Sequence, residues 1–182
     1  MTAAAKIAVT ALLALALSGT AAGASAPGRW NPRAPENSQL LPAFNYATVE
    51  GVLDAIGARY QRTGRGANPG FNVTFANARK AVLSLGACNG DGSACKSLSM
   101  QSSWTRIANS PLPQVAEAIQ RFNQRYSFGK AYLTEDGRPG MQRYLTADYG
   151  FIRGNLAVNL LVFANQVDRF ATQVLQPLEA KR

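Results

Sequence analysis

Lys80 to Trp104, KAVLSLGACNGDGSACKSLSMQSSW, constrains this chain more than any other stretch. It reads as two strands folded back on each other around a tight glycine-containing loop, with a cysteine on each side of the mouth. Setting Cys88 opposite Cys95 places Leu85 opposite Leu98 and Leu83 opposite Met100, all four on one face, because side chains alternate along a strand. One register satisfies the apolar pairing and a disulfide together. The other face then carries Ser84, Ser97, Ser99 and Gln101, and a face so dressed is expected to stay open to water.

The cysteine pair becomes legible through the N-terminus. Lys6 supplies a positive n-region, Ile7 to Leu17 an apolar run, and Ala22-Gly23-Ala24 a small-x-small cleavage site, so residues 1–24 read as a signal peptide. Cleavage after Ala26 would put Pro27 first, and the apolar run is too short to span a bilayer. The expected product is exported, periplasmic or secreted, and not membrane-spanning. In an oxidising compartment, two cysteines at hairpin-opposed positions form a disulfide. The competing reading, a redox-active or metal-binding pair, lacks the C-x-x-C spacing.

The chain, at 182 residues, suits one domain with a proper core. Residues 25–44 contain four prolines and read as a flexible leader, on which Trp30 and Leu40-Leu41 are candidate docking points. Thr48 is the expected cap of a helix whose stripe runs Val49, Val52, Leu53, Ile56 and Tyr60. Arg62 to Gly70 reads as a loop, and Phe71, Val73 and Phe75 as the inward side of a first strand, followed by the hairpin. Ser110-Pro111 is a helix start, with Leu112, Val115, Ile119, Phe122 and Tyr126 as the buried stripe. Gly129–Thr134 and Met141–Ala147 form a second hairpin around a turn-rich run. The last helix carries Leu156, Leu160, Phe163, Val167, Phe170 and Val174. Its first half adds Val158, Leu161 and Val162, which suits either burial on two sides or a homodimer seam. The expected order is α-β-β-β-α-β-β-α: an α+β domain over residues 45–178, with three helices, an antiparallel five-stranded sheet and a tail at 179–182.

The chemistry open to the chain is narrow. It has no histidine, hence neither the usual neutral-pH base nor the commonest metal ligand. Asn89, Asp91 and Ser93 match the first ligands of a calcium loop, but Ala94 stands where glycine is needed and Met100 where glutamate is needed. The adjacent Glu135 and Asp136 cannot face each other across a substrate. Only a serine–lysine dyad is left to an enzyme, and Lys80 and Lys130 have no companion motif. The reading is therefore no enzyme, no metal and no cofactor.

The formal charge of +9 points instead to an acidic partner. Arg59, Arg62 and Arg65, extended by Lys80 and Lys96, form the expected binding patch. A scatter of solvated cations is the plain alternative, and no nucleic-acid recognition motif appears.

The run Phe122 to Gly137, FNQRYSFGKAYLTEDG, together with Cys95-Lys96-Ser97-Leu98-Ser99-Met100-Gln101 and Gly154-Asn155-Leu156, resembles the YbjN domain family. The resemblance covers about Thr48 to Gln176. It implies a bacterial sensory-transduction regulator whose fold is similar to type III secretion chaperones, which bind extended polypeptides and commonly dimerise. It brings no catalytic set. Export and basicity set this chain apart from relatives that look cytoplasmic and acidic. The resulting expectation is an exported, non-enzymatic protein that binds a polypeptide or acidic envelope component. A small hydrolase or ligand-modifying enzyme with a Ser/Lys site and a structural homodimer are the alternatives.

Overall fold

The computed structural model describes residues 30–180; the signal segment lies outside the described residues, as do the last two of the expected tail. In chain order the elements are β1 (Leu40–Leu41), α1 (Tyr46–Ala55), β2 (Arg59–Thr63), β3 (Gly70–Thr74), β4 (Lys80–Gly86), β5 (Ser97–Ser103), α2 (Leu112–Arg125), β6 (Lys130–Leu133), β7 (Pro139–Thr146), β8 (Phe151–Ile152), α3 (Arg153–Phe170) and α4 (Gln176–Glu179). Strands β2 to β7 make a six-stranded sheet ordered β2-β3-β4-β5-β7-β6, and β1 pairs with β8 in a two-stranded sheet. All these pairings are antiparallel.

The sheet has six strands rather than the expected five, because the first helix is shorter than its apolar stripe suggested. Its cap is Asn45, not Thr48. The Asn45 carboxamide accepts from Thr48 N at 2.8 Å, and Thr48 Oγ1 accepts from Asn45 N at 3.0 Å, a reciprocal capping box. Gly57, at φ 69°, then turns the chain out of the helix. Tyr60, read as the last member of the helical stripe, sits instead in the middle of β2 opposite Val73. Arg62 and Thr63, read as loop, complete that strand.

The central hairpin has the register expected of it: Leu83 faces Met100 and Leu85 faces Leu98. The Cys88–Cys95 disulfide closes its loop. Ala87 and Ala94, each directly before a cysteine, lie in the left-handed region at φ 50° and 49°, a conformation that costs an alanine about 1–2 kcal/mol.

Of the segment read as a leader, residues 30–44 are described. They form a 3-10 turn (Pro35–Ser38) and β1. Phe44 exchanges backbone hydrogen bonds with Cys95, both 2.9 Å, and stacks on Phe151 with ring centroids 4.4 Å apart. This arm is anchored to the disulfide hairpin.

Helices cover one face of the large sheet. Leu83, Leu85, Leu98, Met100 and Met141 meet Val115, Ile119 and Phe122 of α2 and Leu156, Leu160, Phe163, Val167 and Phe170 of α3 in one buried cluster. Phe163 and Phe170 are fully buried, each contributing roughly 1.5–3 kcal/mol by transfer from water. Val158, on the other side of α3, is 47% exposed. Beyond α3, Pro177 has no N–H to donate back to Gln173, and its ring crowds that carbonyl; the helix widens into a π-turn over Ala171–Leu175 before α4.

Two side chains take roles different from the expected ones. Pro111 occupies the cap position of α2, and the Ser110 hydroxyl instead donates to Leu178 O at 2.9 Å, pinning α4. Asn123 on α2 acts as a stand-in for a seventh strand: its Nδ2 donates to Ala131 O and its Oδ1 accepts from Ala131 N, each at 2.9 Å.

Cys88→Ser should lower stability by about 2.5 kcal/mol from loop entropy, less whatever relief the two left-handed alanines obtain. In a denaturant titration the midpoint should fall with the slope nearly unchanged, because the loop closed is short; a large change of slope would mean that the denatured state had become much less compact or that unfolding was no longer two-state. Asn123→Ala strands both peptide groups of Ala131 and should cost about 1–3 kcal/mol, read as a drop in thermal midpoint.

Candidate functional site

The strand alternation that sends the leucines and methionines inward sends a different set of side chains to the uncovered face. Cross-strand pairing lines them up in rows. The first runs Arg59, Thr74, Lys80. The second crosses all six strands as Gln61, Asn72, Val82, Gln101, Gln142, Lys130. The third runs Thr63, Gly70, Ser84, Ser99, Tyr144. Gln61, Asn72, Lys80, Ser84, Gln101, Lys130 and Tyr144 are exposed, and Ser99 and Gln142 half-buried.

An open depression of about 710 Å³ lies over the first two rows, lined by Arg59, Gln61, Asn72, Lys80, Gln101 and Ser103. A second, of about 470 Å³, lies toward Lys130, Gln142 and Tyr144. The Tyr132 ring covers Gly140, its strand partner: a methyl placed on Gly140 would come within 2.5 Å of that ring.

Charge on this face has one sign. None of the six strands contains an aspartate or glutamate. Acids that pair with basic residues do so elsewhere: Glu50 Oε2 with Arg62 Nη2 at 2.6 Å, and Asp168 Oδ1 with Arg79 Nη2 at 2.8 Å. Strands lie about 4.8 Å apart, so the Cα atoms of Arg59 and Lys80, two strands apart, lie about 10 Å from one another with Thr74 between.

The five basic residues expected to form a patch are divided by the fold. Arg59 and Lys80 share the open face. Arg62 points the opposite way, paired with Glu50 and lying over the Tyr46 ring at 4.6 Å. Arg65 is exposed in the β2–β3 loop, whose Gly66 carbonyl crowds Gly92 of the disulfide loop. The Lys96 ammonium donates to Pro42 O at 3.3 Å and Ala147 O at 3.5 Å, tethering the N-terminal arm.

Of the four residues read as the open sheet face, Ser84, Ser99 and Gln101 stand on it. Ser97 shares their side but is 8% exposed, its hydroxyl filling the space beside Gly86 where a side chain would otherwise sit. Sequence reasoning missed Gln61, Asn72, Thr74 and Gln142, and saw Lys130 only as an orphan lysine. Alternation within each strand was there to be read; which strands adjoin was not.

The Tyr60 phenol, on the covered side of β2, is pushed up to about 12, first by burial and then by its hydrogen bond with Asp54. The Ser93 hydroxyl and amide, at 2.6 and 2.9 Å, hold the Asp91 carboxyl below the usual carboxylate range. That carboxylate is committed to its own turn. Among the described residues, no group of three or more His, Cys, Asp or Glu side chains could hold a metal ion, and no helix is long and apolar enough to cross a membrane.

Compared with protein families, residues 45–176 match YbjN, described as "Putative bacterial sensory transduction regulator". The match begins at the α1 cap and ends where α4 begins, so it takes in the whole six-stranded sheet and leaves β1 outside. No curated protein matches the chain.

Two glycine substitutions should move stability in opposite directions. Gly140→Ala displaces the Tyr132 ring from the face and should cost about 1–3 kcal/mol. Gly51→Ala, on the exposed side of α1 with nothing within 4 Å of the new methyl, should add about 0.5–1 kcal/mol. Thermal melts of the two variants check both signs.

Proposed function

This chain belongs to the YbjN family, and on that premise we propose that it is an exported, non-enzymatic regulatory protein that works by binding an acidic envelope partner on its uncovered sheet face. The observation carrying this reading is the segregation of charge. Arg59, Lys80 and Lys130 stand on a six-strand surface without a single carboxylate, while Glu50 and Asp168 are paired on the side of the helices. A one-signed field over a shallow concavity attracts the opposite charge and raises its local concentration. The amide and hydroxyl side chains between the cations offer donors and acceptors to whatever is drawn in.

The regulatory role fits recognition better than chemistry. The six strands offer no aspartate or glutamate as a general acid or base, and the depressions on the face are open rather than enclosed. The likeness of YbjN domains to type III secretion chaperones belongs to the same proposal, since those proteins also act by presenting a surface. Export rests on the N-terminal segment, and places the basic face among the anionic polymers and lipids of a bacterial envelope.

Binding of an anionic envelope extract should weaken at least ~10-fold in an Arg59→Glu/Lys80→Glu double variant, and should fall as salt rises, since exposed charges are screened beyond about 8 Å at physiological ionic strength. Arg62→Glu, on the other side of the sheet, should bind as the parent does. Equal binding by the double variant would remove the sheet face from the account. N-terminal mass analysis of the exported protein should find Ser25 as the first residue; an intact Met1 would overturn the export reading.

A further inference from the structure

The second row is an unusual thing for a sheet to display: carboxamides at Gln61, Asn72, Gln101 and Gln142, one per strand, interrupted by Val82 and ended by Lys130. Gln61, Asn72 and Gln101 are exposed. A carboxamide presents a donor and an acceptor side by side, the pairing that a vicinal diol of a sugar matches with its own hydroxyls. The row repeats at the inter-strand spacing of about 4.8 Å.

We propose that the ligand of this face is an extended acidic glycan lying across the strands, about one sugar to a strand, with its hydroxyls on the amide row and its carboxylates on Arg59, Lys80 and Lys130. This rests on the reading that the sheet face is the binding surface, and names what it binds. An extended polypeptide advances about 3.3–3.4 Å per residue, which falls out of step with the row within two or three strands. Its peptide groups are also best satisfied at a sheet edge rather than on a face. An extended pyranoside chain advances by close to one strand spacing per sugar and carries polar groups along both sides. The apolar contacts available suit a sugar as well. Val82, 45% exposed, sits mid-row, and the Tyr144 and Tyr132 side chains flank the row on neighbouring positions of the same face, where C–H faces of a ring can rest. Nothing on the face offers the deep apolar pockets that seat peptide side chains.

Isothermal titration with oligogalacturonates tests this, using trimer and hexamer against a glutamate hexamer and the methyl-esterified galacturonate hexamer. The expected result is that the galacturonate hexamer binds ~10-fold or more tighter than its trimer, as added sugars engage further strands. It should also bind tighter than both the glutamate hexamer and the uncharged ester. Gln101→Leu and Asn72→Leu, exposed positions whose folding a thermal melt verifies, should each weaken the galacturonate hexamer by ~10-fold and leave the glutamate hexamer unchanged. Glutamate binding as tightly as galacturonate, with no effect of the leucine variants, would overturn the glycan assignment and leave the sheet face standing as a charged surface. An ester bound as tightly as the acid would overturn the acidic part of the assignment. Binding of none of the probes would overturn the glycan together with the face itself.

Discussion

Leu85 opposite Leu98, and Leu83 opposite Met100, set the registry of the central hairpin, and a slip of one residue would turn the apolar pair of the slipped strand toward water. At roughly 1.5–3 kcal/mol per buried side chain, that slip would cost about 3–6 kcal/mol, a large share of the about 5–15 kcal/mol that holds a domain folded. The rest of the sheet is built outward from this pair: β3 on one side of β4, β7 on the other side of β5. The disulfide reinforces the registry at the loop end, where two alanines must hold left-handed backbone. The N-terminal arm then hangs on the same corner, through the Phe44–Cys95 backbone bridge and the Phe44–Phe151 stack. One hairpin thus decides both which face is core and where the arm docks.

That hairpin was readable from the sequence because its constraints are local: two cysteines, four apolar residues and a glycine-rich loop within one short run. The stripe of α3 was readable for the same reason. What escaped was non-local or locally ambiguous. Tyr60 continues a helical spacing from Ile56 as well as it fits a strand, and only Gly57 in the left-handed region decides between them. Ser110 looks like a cap until α4 is seen to lie against it. For the site, the expected patch joined residues by nearness in sequence, but Arg59 and Arg62, three apart on a strand, must point to opposite faces. Gln61 and Gln142 become neighbours in one row only after β2, β3, β4, β5 and β7 have been placed side by side, which no single segment dictates.

The distribution of acids separates charges with a structural task from those assigned to binding in the proposed function. Glu50 holds Arg62 against the Tyr46 ring, and Asp168 holds Arg79 at the start of β4. Both tie strands to helices, and both leave their arginines unavailable to a partner. Among the described residues, Arg59, Lys80 and Lys130 on the open face form no ion pair with an acid and so have no such structural task. Their cost is mutual repulsion, modest between exposed cations in water. Retaining them on a carboxylate-free sheet makes physical sense where an external anion relieves that repulsion.

The two edges of the large sheet are the other places where a partner could add itself, and the fold obstructs both. At β6 the Asn123 carboxamide already occupies the N–H and C=O of Ala131, the groups an incoming strand would use. At β2 the Tyr46 hydroxyl donates to Thr63 O at 2.6 Å, occupying one backbone carbonyl of that strand. An added strand at either edge would have to break these contacts before it gained any of its own. A ligand approaching the open face breaks nothing, displacing only water from amides and hydroxyls held at fixed spacing by the sheet beneath. In the proposed function, recognition is thus directed to the broad surface by what closes the edges as much as by what the surface displays.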